Sequence, residues 1–316
     1  MPSTSHSEVE SYLLCRRKHY YGYGMRLRRV TESASLAMGT LGHAVLETFY
    51  ATILEEGGNT LEGQQAAFGT ALHAAQIEFE TLIAEGYRDS DDKRIAAETL
   101  LFEWYFPNEP LVMAGWRILA VESEFNLLYD EEQDLKYPFK IDLIARDPEG
   151  KTVVVDHKFV WDFYSYEAAE LQPQIPKYIG GLRALNHKID YGAYNMLRTR
   201  LIKGTKDKDG SYPGPTLDQM LGWLPLKPNA TRVQTTFMEQ IEAARMLTEI
   251  KALPLEEQDR LAVRVANKMV CQSCSFKDLC ISDLNGANSK LLIATEYVIR
   301  EKRDEFELTA ELEEVG

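Results

Sequence analysis

Two runs, Phe139-Lys140-Ile141-Asp142-Leu143-Ile144 and Val153-Val154-Val155-Asp156-His157-Lys158, decide how this chain is read. Both are apolar and β-branched, and the turn signal Asp147-Pro148-Glu149-Gly150 lies between them, which predicts paired strands. Each run breaks its apolar pattern with an aspartate, and the second goes on to Asp-x-Lys. Side chains two residues apart on a strand share a face, so Asp156 and Lys158 look into one site, and Asp142 joins them across the hairpin. His157 falls on the opposite face, leaving only its backbone carbonyl near that site. Two carboxylates and an ammonium at a sheet edge suit phosphodiester hydrolysis. Hard oxygen ligands hold Mg2+ or Mn2+, the metal polarises a phosphate and acidifies bound water, and Lys158 orients that water or stabilises developing charge. A salt-bridged hairpin end is the alternative reading of the same residues.

Outward from these strands, Ile118 to Tyr129 adds a third, predicting an antiparallel meander. Upstream, Leu36, Leu41, Val45, Leu46 and Phe49 recur near helical spacing, which predicts a helix over 36–54 stopped by Gly57-Gly58. His43 and Glu47 then lie four apart on one face of it. Leu61 to Glu85 and Asp91 to Trp104 read as helices of an insertion over 58–110. Downstream, 167–185 reads as a helix despite Pro173 and Pro176, Tyr191 to Thr199 as a strand, and Phe237 to Ile250 as a helix. Lys203 to Gly214, KGTKDKDGSYPG, has the composition of a mobile loop or flap. Near the start, Ser5, Ser7 and Glu8 offer N-cap chemistry for a short helix that delivers Cys15 to its end. The fold class is therefore α/β, a largely antiparallel sheet flanked by helices, with its catalytic part over 118–200.

With 316 residues, the chain is expected to form one domain carrying a helical insertion. Its formal net charge of -14 is not that of a general nucleic-acid binder, which needs cations to neutralise phosphates. Charge is unevenly spread, however. Cys15 to Arg29 reads CRRKHYYGYGMRLRR, while Glu301 to Glu314 is mostly acidic. Arg16, Arg17 and Lys18 are candidate DNA contacts, with a solvated helix face as the alternative. Met1 to Glu10 has no apolar core of a secretory signal and no stretch reaches membrane-span length, so a cytoplasmic protein without a membrane partner is expected.

The four cysteines are Cys15 and, far downstream, Cys271-x2-Cys274-x5-Cys280. Under cytosolic conditions such clustering points to metal rather than disulfides. Four thiolates match either a Zn2+ site or an iron-sulfur cluster, and spacing alone does not separate the two.

The order His43, Asp142, Asp156-x-Lys158 and Gln174-x-x-x-Tyr178 resembles the motif series of the PD-(D/E)XK nuclease superfamily, in particular its RecB-like branch. That resemblance implies a restriction-endonuclease-like core in which His43, within Gly39-x-x-x-His43, binds metal with Asp142, Asp156 and the His157 carbonyl. Lys158 serves catalysis, Gln174 and Tyr178 sit beside the site, and Glu47 is an additional ligand or supporting residue; Tyr178 itself reads either as a core aromatic or as a contact to a DNA phosphate or base. One cysteine before the core and three after it are similar to the iron-sulfur nucleases of that branch, the AddB-type subunits and CRISPR-adaptation exonucleases. The resemblance implies a [4Fe-4S] cluster on Cys15, Cys271, Cys274 and Cys280, in a lobe of residues 1–30 and 260–285 that joins the chain ends. It spans Ser7 to Cys280.

The implied activity is a Mg2+- or Mn2+-dependent DNA exonuclease acting on single- or double-stranded ends in recombination, repair or end processing, in a bacterial or phage-infected cell. Expected partners are DNA, a recombination or single-strand annealing protein and further copies of the chain. No Gly-x-x-x-x-Gly-Lys-Ser/Thr loop is present, so any ATP-driven motor is a separate chain. The rival reading is a non-catalytic, metal-stapled nucleic-acid-binding or assembly protein, against which the retention of Asp142, Asp156 and Lys158 argues. A cluster-dependent oxidoreductase would need a flavin or substrate site that the sequence does not display.

Overall fold

The structure, a computed structural model, describes residues 4–30, 34–85, 91–132, 135–200, 214–265 and 267–300. The expected flap at Lys203 to Gly214, apart from Gly214, and the acidic tail lie outside the described residues. The described strands are β1 (Leu27–Arg29), β2 (Arg117–Asp130), β3 (Leu135–Arg146), β4 (Thr152–Val160), β5 (Tyr191–Arg198), β6 (Leu221–Leu226) and β7 (Tyr297–Ile299). The chain divides into two compact units. Among the described residues, one comprises 4–30, Phe125–Phe139 and 237–300; the other comprises Ala34–Glu124 and Lys140–Thr236.

The larger unit is built on the sheet ordered β2-β3-β4-β5-β6. β3 and β4 pair antiparallel with Leu143 opposite Val155, as the hairpin reading requires. The meander ends there, because β4 and β5 are parallel, with Asp156 opposite Tyr194 and His157 opposite Asn195. A parallel pair needs a crossover, and the helices Tyr166–Leu171 and Gln174–Ala184 supply it. The sequence suggested one helix here. Pro173 instead caps the second helix, and Pro176 falls in its first turn, where a missing N–H costs nothing. β6, absent from the sequence reading, pairs antiparallel with β5 and closes the sheet.

The helix Ala34–Gly57 packs on β4 and against the helix Leu61–Ala84. Its apolar face, Leu41, Val45, Leu46, Phe49 and Ile53, is buried with Val153, Val155 and Ala193 of the sheet. Thus the periodic residues that predict the helix are also those that place it. Gly58, at φ +57°, ends it as expected. The second insertion helix is shorter than predicted: Asp91–Glu98 gives way to a π-helical turn over Thr99–Tyr105 that buries Leu100, Leu101 and Tyr105.

In the smaller unit, Ser5 caps the helix His6–Leu14 by accepting from the Glu8 N–H, which realises the predicted N-cap. β1 and β7 pair antiparallel. Tyr21, Leu27, Phe276, Leu279 and Tyr297 form its compact apolar cluster. All four cysteines belong to this unit. Among the described residues no helix is long and apolar enough to cross a membrane.

Candidate active site

His43 is held in place by the residue before it. A Cβ on Gly42 would fall 2.0 Å from Cζ of Phe159 on β4, so only glycine lets the helix Ala34–Gly57 approach the strand this closely. The His43 ring then stands 5.7 Å from the Phe159 ring and 6.4 Å from that of His157. Gly39, the glycine singled out by the sequence motif, meets nothing within 4 Å.

Asp142 projects from β3 toward this histidine, with Oδ2 3.5 Å from His43 Nδ1. The same oxygen accepts the His157 backbone N–H at 2.8 Å, tying β3 to β4 at the site. A third acid, missed in the sequence, is Glu122 of β2. Its φ of +45° is left-handed, unusual for a non-glycine residue inside a strand. The kink shifts the burial phase of β2: Ile118 and Ala120 are buried before it, Phe125 and Leu127 after it. Glu122 Oε1 consequently lies 4.0 Å from His43 Nδ1, and Oε2 pairs with Lys140 Nζ at 2.7 Å. Ligand atoms of His43, Glu122 and Asp142 all lie within 4.8 Å of one another, and no other such group of three His, Cys, Asp or Glu residues occurs among the described residues. Glu47, the expected extra ligand, is exposed and outside this group, although its charge reaches Glu122 and Lys140.

Asp156 is only 1% exposed and forms an ion pair with Lys158 Nζ at 2.7 Å. Its Oδ1 is buried with no hydrogen-bond partner. Lys158 Nζ also donates to Gln174 Oε1 at 2.8 Å, and Gln174 Nε2 donates to the Tyr178 hydroxyl at 2.9 Å. The helix Gln174–Ala184 thereby braces the lysine. Tyr178 is 4% exposed, so its ring is no stacking surface for a base, and that expectation is corrected.

The electrostatics are those of a site short of positive charge. Burial pushes the Asp142 carboxyl above its usual range, and the Asp156 charge pushes it further. Glu122 is driven up to about 7, first by burial and then by the Asp142 charge. Burial holds the His43 imidazole below its ordinary value, toward the neutral form that can ligate a metal. Burial also opposes the Lys158 ammonium, but the charge and hydrogen bond of Asp156 outweigh it and raise its pKa. Carboxylates gathered against their mutual repulsion, with one buried oxygen left unpartnered, fit a divalent cation. A donor set of carboxylate oxygens and one imidazole suits Mn2+ or Mg2+.

The expected cysteine centre does not form a ligand group. No three sulfurs of Cys15, Cys271, Cys274 and Cys280 lie within 4.8 Å of one another, as a single shared ion such as zinc would need. Cys280 Sγ accepts from Arg264 Nε at 3.3 Å and Cys271 Sγ contacts the Val265 carbonyl at 3.6 Å, while burial first, and then the nearby Cys15 and Cys271, raise the Cys274 thiol pKa. Spacing supplied the right number of thiols but not their convergence. Among the candidate DNA contacts, Arg17 is taken up internally, bonded to Asp259 and to the Ala262 carbonyl with its side chain 11% exposed. Arg16 stacks over Tyr12 at 5.1 Å, and Lys18 lies where its charge lowers the Cys274 thiol pKa, against a larger rise caused by burial.

No curated protein matches the chain. Among solved structures, a candidate exonuclease from Eubacterium rectale is similar at 10% identity and a TM-score of 0.44, over 90% of this chain and 94% of that one. The structure of SSO0001 is similar at 12% identity and a TM-score of 0.29, over 87% and 92%. Both resemblances are extensive but loose. The family model, in contrast, takes in the helix of His43, the strands of Glu122, Asp142 and Asp156, and the crossover helix of Gln174. Matched from residue 3 to residue 281, the chain belongs to the PD-(D/E)XK nuclease superfamily.

Proposed function

We propose that the protein is a divalent-metal-dependent DNA exonuclease that processes DNA ends in recombination or repair. The observation that carries this reading is the convergence of His43, Glu122 and Asp142 beside the Asp156–Lys158 pair. In the proposed assignment His43, Asp142 and Asp156 hold the metal, with Glu122 as a further ligand and the His157 carbonyl as a supporting one. A bound Mg2+ or Mn2+ would polarise the scissile phosphate and acidify a water.

The chain's own residues do the rest. Lys158, kept charged by Asp156 and aimed by Gln174, sits where it can orient the attacking water and balance charge building on the phosphate. The His157 N–H, donated to Asp142, fixes one ligand against the other strand. Phe159 against Gly42 excludes water from the back of the site. The acidic balance of the chain favours release of the polyanionic product over tight retention. A recombination or annealing protein and further copies of the chain are the proposed partners.

Asp156→Ala is expected to remove Mn2+-dependent release of nucleotides from linear DNA, losing at least about a hundredfold in rate, as when a metal ligand is deleted. The unfolding midpoint should fall, because the variant leaves the Lys158 ammonium buried without its ion pair. Cleavage by the purified variant at the wild-type rate would sink the assignment.

A further inference from the structure

Behind the site, on the face of β4 away from Asp156 and Lys158, runs a chain of buried polar groups that the proposed chemistry does not use. Glu109, Tyr50, Tyr105, Asn195 and His157 are each no more than 2% exposed. Glu109 accepts from the Leu111 N–H at 3.0 Å and the Met113 N–H at 3.1 Å, so it ends the chain as an acceptor. The Tyr50 hydroxyl donates to Glu109 and stands 2.7 Å from the Tyr105 hydroxyl. Since the Tyr50 proton is committed to Glu109, Tyr105 is the donor of that pair. The Asn195 amide then donates to the Tyr105 oxygen at 2.7 Å and, with its second hydrogen, to His157 Nδ1 at 3.0 Å. Every link is thus oriented from one end to the other. The consequence falls on His157: Nδ1 accepts, so the imidazole carries its proton on Nε2. The Tyr50 ring lies flat on this imidazole, 5.6 Å between centroids at 9°.

Resting on the nuclease reading above, we propose that Glu109, Tyr50, Tyr105 and Asn195 are positioning residues for the metal site, a hydrogen-bonded strut that fixes the tautomer and orientation of His157 and so sets the backbone from Asp156 to Lys158. The path is short. His157 lies between those two residues, its own N–H grips Asp142 at 2.8 Å, and Asn195 sits directly opposite it on β5. Within the strut the polar groups are partnered except His157 Nε2, which is buried without a partner, so the tautomer is set from the Nδ1 side alone. Here its four supporting side chains come from three separate stretches of sequence and converge on one imidazole. For sheet stability alone, apolar residues at Asn195 and Tyr105 would serve as well, as they do along the rest of β5.

The test compares Asn195→Leu and Tyr50→Phe with Tyr191→Phe. Tyr191 also buries a hydroxyl on a carboxylate, Asp147 at 2.9 Å, but on β5 away from His157. Three readouts are taken: 15N chemical shifts of the His157 ring, Mn2+ binding by calorimetry, and kcat and KM on linear DNA. Wild type and Tyr191→Phe should show the Nε2-protonated ring and equal Mn2+ affinity. Asn195→Leu should lose the single tautomer, bind Mn2+ about tenfold more weakly and lower kcat about tenfold while KM moves less than about twofold, the scale on which groups supporting a ligand act. Tyr50→Phe keeps the stacked ring and should change the same quantities in the same direction, which covers the case in which Asn195→Leu does not fold. The proposal is overturned if Asn195→Leu or Tyr50→Phe matches Tyr191→Phe in tautomer, Mn2+ affinity and kcat, whatever its stability. If wild type cleaves no DNA while tautomer and Mn2+ affinity respond as stated, the nuclease reading fails and the strut stands.

Discussion

Glu122 has two roles, one in metal-free protein and one with metal bound. Its carboxyl is raised from an ordinary 4.5 to about 7, so the folded protein holds that proton more tightly than the unfolded chain does. Its contribution is therefore fully present below about pH 4.5 and lost as pH rises through about 7, a change of roughly 3 kcal/mol at most. Metal-free protein should lose stability over that window in urea melts, Glu122→Gln should lose clearly less, and Mn2+ should restore wild type above pH 7 by binding the ionised form. Parallel pH profiles for the two metal-free proteins would contradict this account. Asp142, Asp156 and Lys158 were legible in the sequence as candidates because they interrupt apolar strand patterns, and His43 only through the motif order that resembles the family's. Glu122 was not, because the kink at φ +45° moves it out of the alternation that would have placed it. Its trace in the sequence is the odd spacing between Ala120 and Phe125, which breaks the two-residue period. The cysteines were legible as a set of four but not in their separation, because chain spacing does not determine where side chains converge.

At the scale of elements, the decisive contact is that of the helix Ala34–Gly57 with β4. Gly42→Ala must displace the Phe159 ring, which a Cβ would meet at 2.0 Å, and with it the His43 side of the site. We expect about 1–3 kcal/mol lost to overpacking and a marked fall in Mn2+ affinity. Gly39→Ala, with open space around it, should instead stabilise the helix by about 0.5–1 kcal/mol and leave metal binding unchanged. Calorimetric Mn2+ titrations and thermal melts of the two variants check both statements, and equal behaviour would refute the packing argument. Strands β2 to β5 and the long helices were legible from period alone. β6 was not: its sequence, LGWLPL, contains Gly222 and Pro225, which argue against a central strand. The structure resolves this by placing β6 at the sheet edge, where a missing N–H is tolerated. Three-residue strands such as β1 and β7 are too short for any period to show.

For the whole molecule, the sequence order of the functional residues was a better guide than composition. A net charge of -14 argues against general DNA affinity, yet the chain belongs to a nuclease superfamily over residues 3–281. Net charge describes the average surface, whereas hydrolysis needs one cation-binding cleft. The most direct test of the account is the release of nucleotides from end-labelled linear DNA and from a covalently closed circle of the same sequence, with Mn2+ and with chelator. The account predicts progressive loss from the ends of the linear form, an intact circle, and no reaction in chelator. Nicking of the circle, or an intact linear form with Mn2+ present, would contradict it.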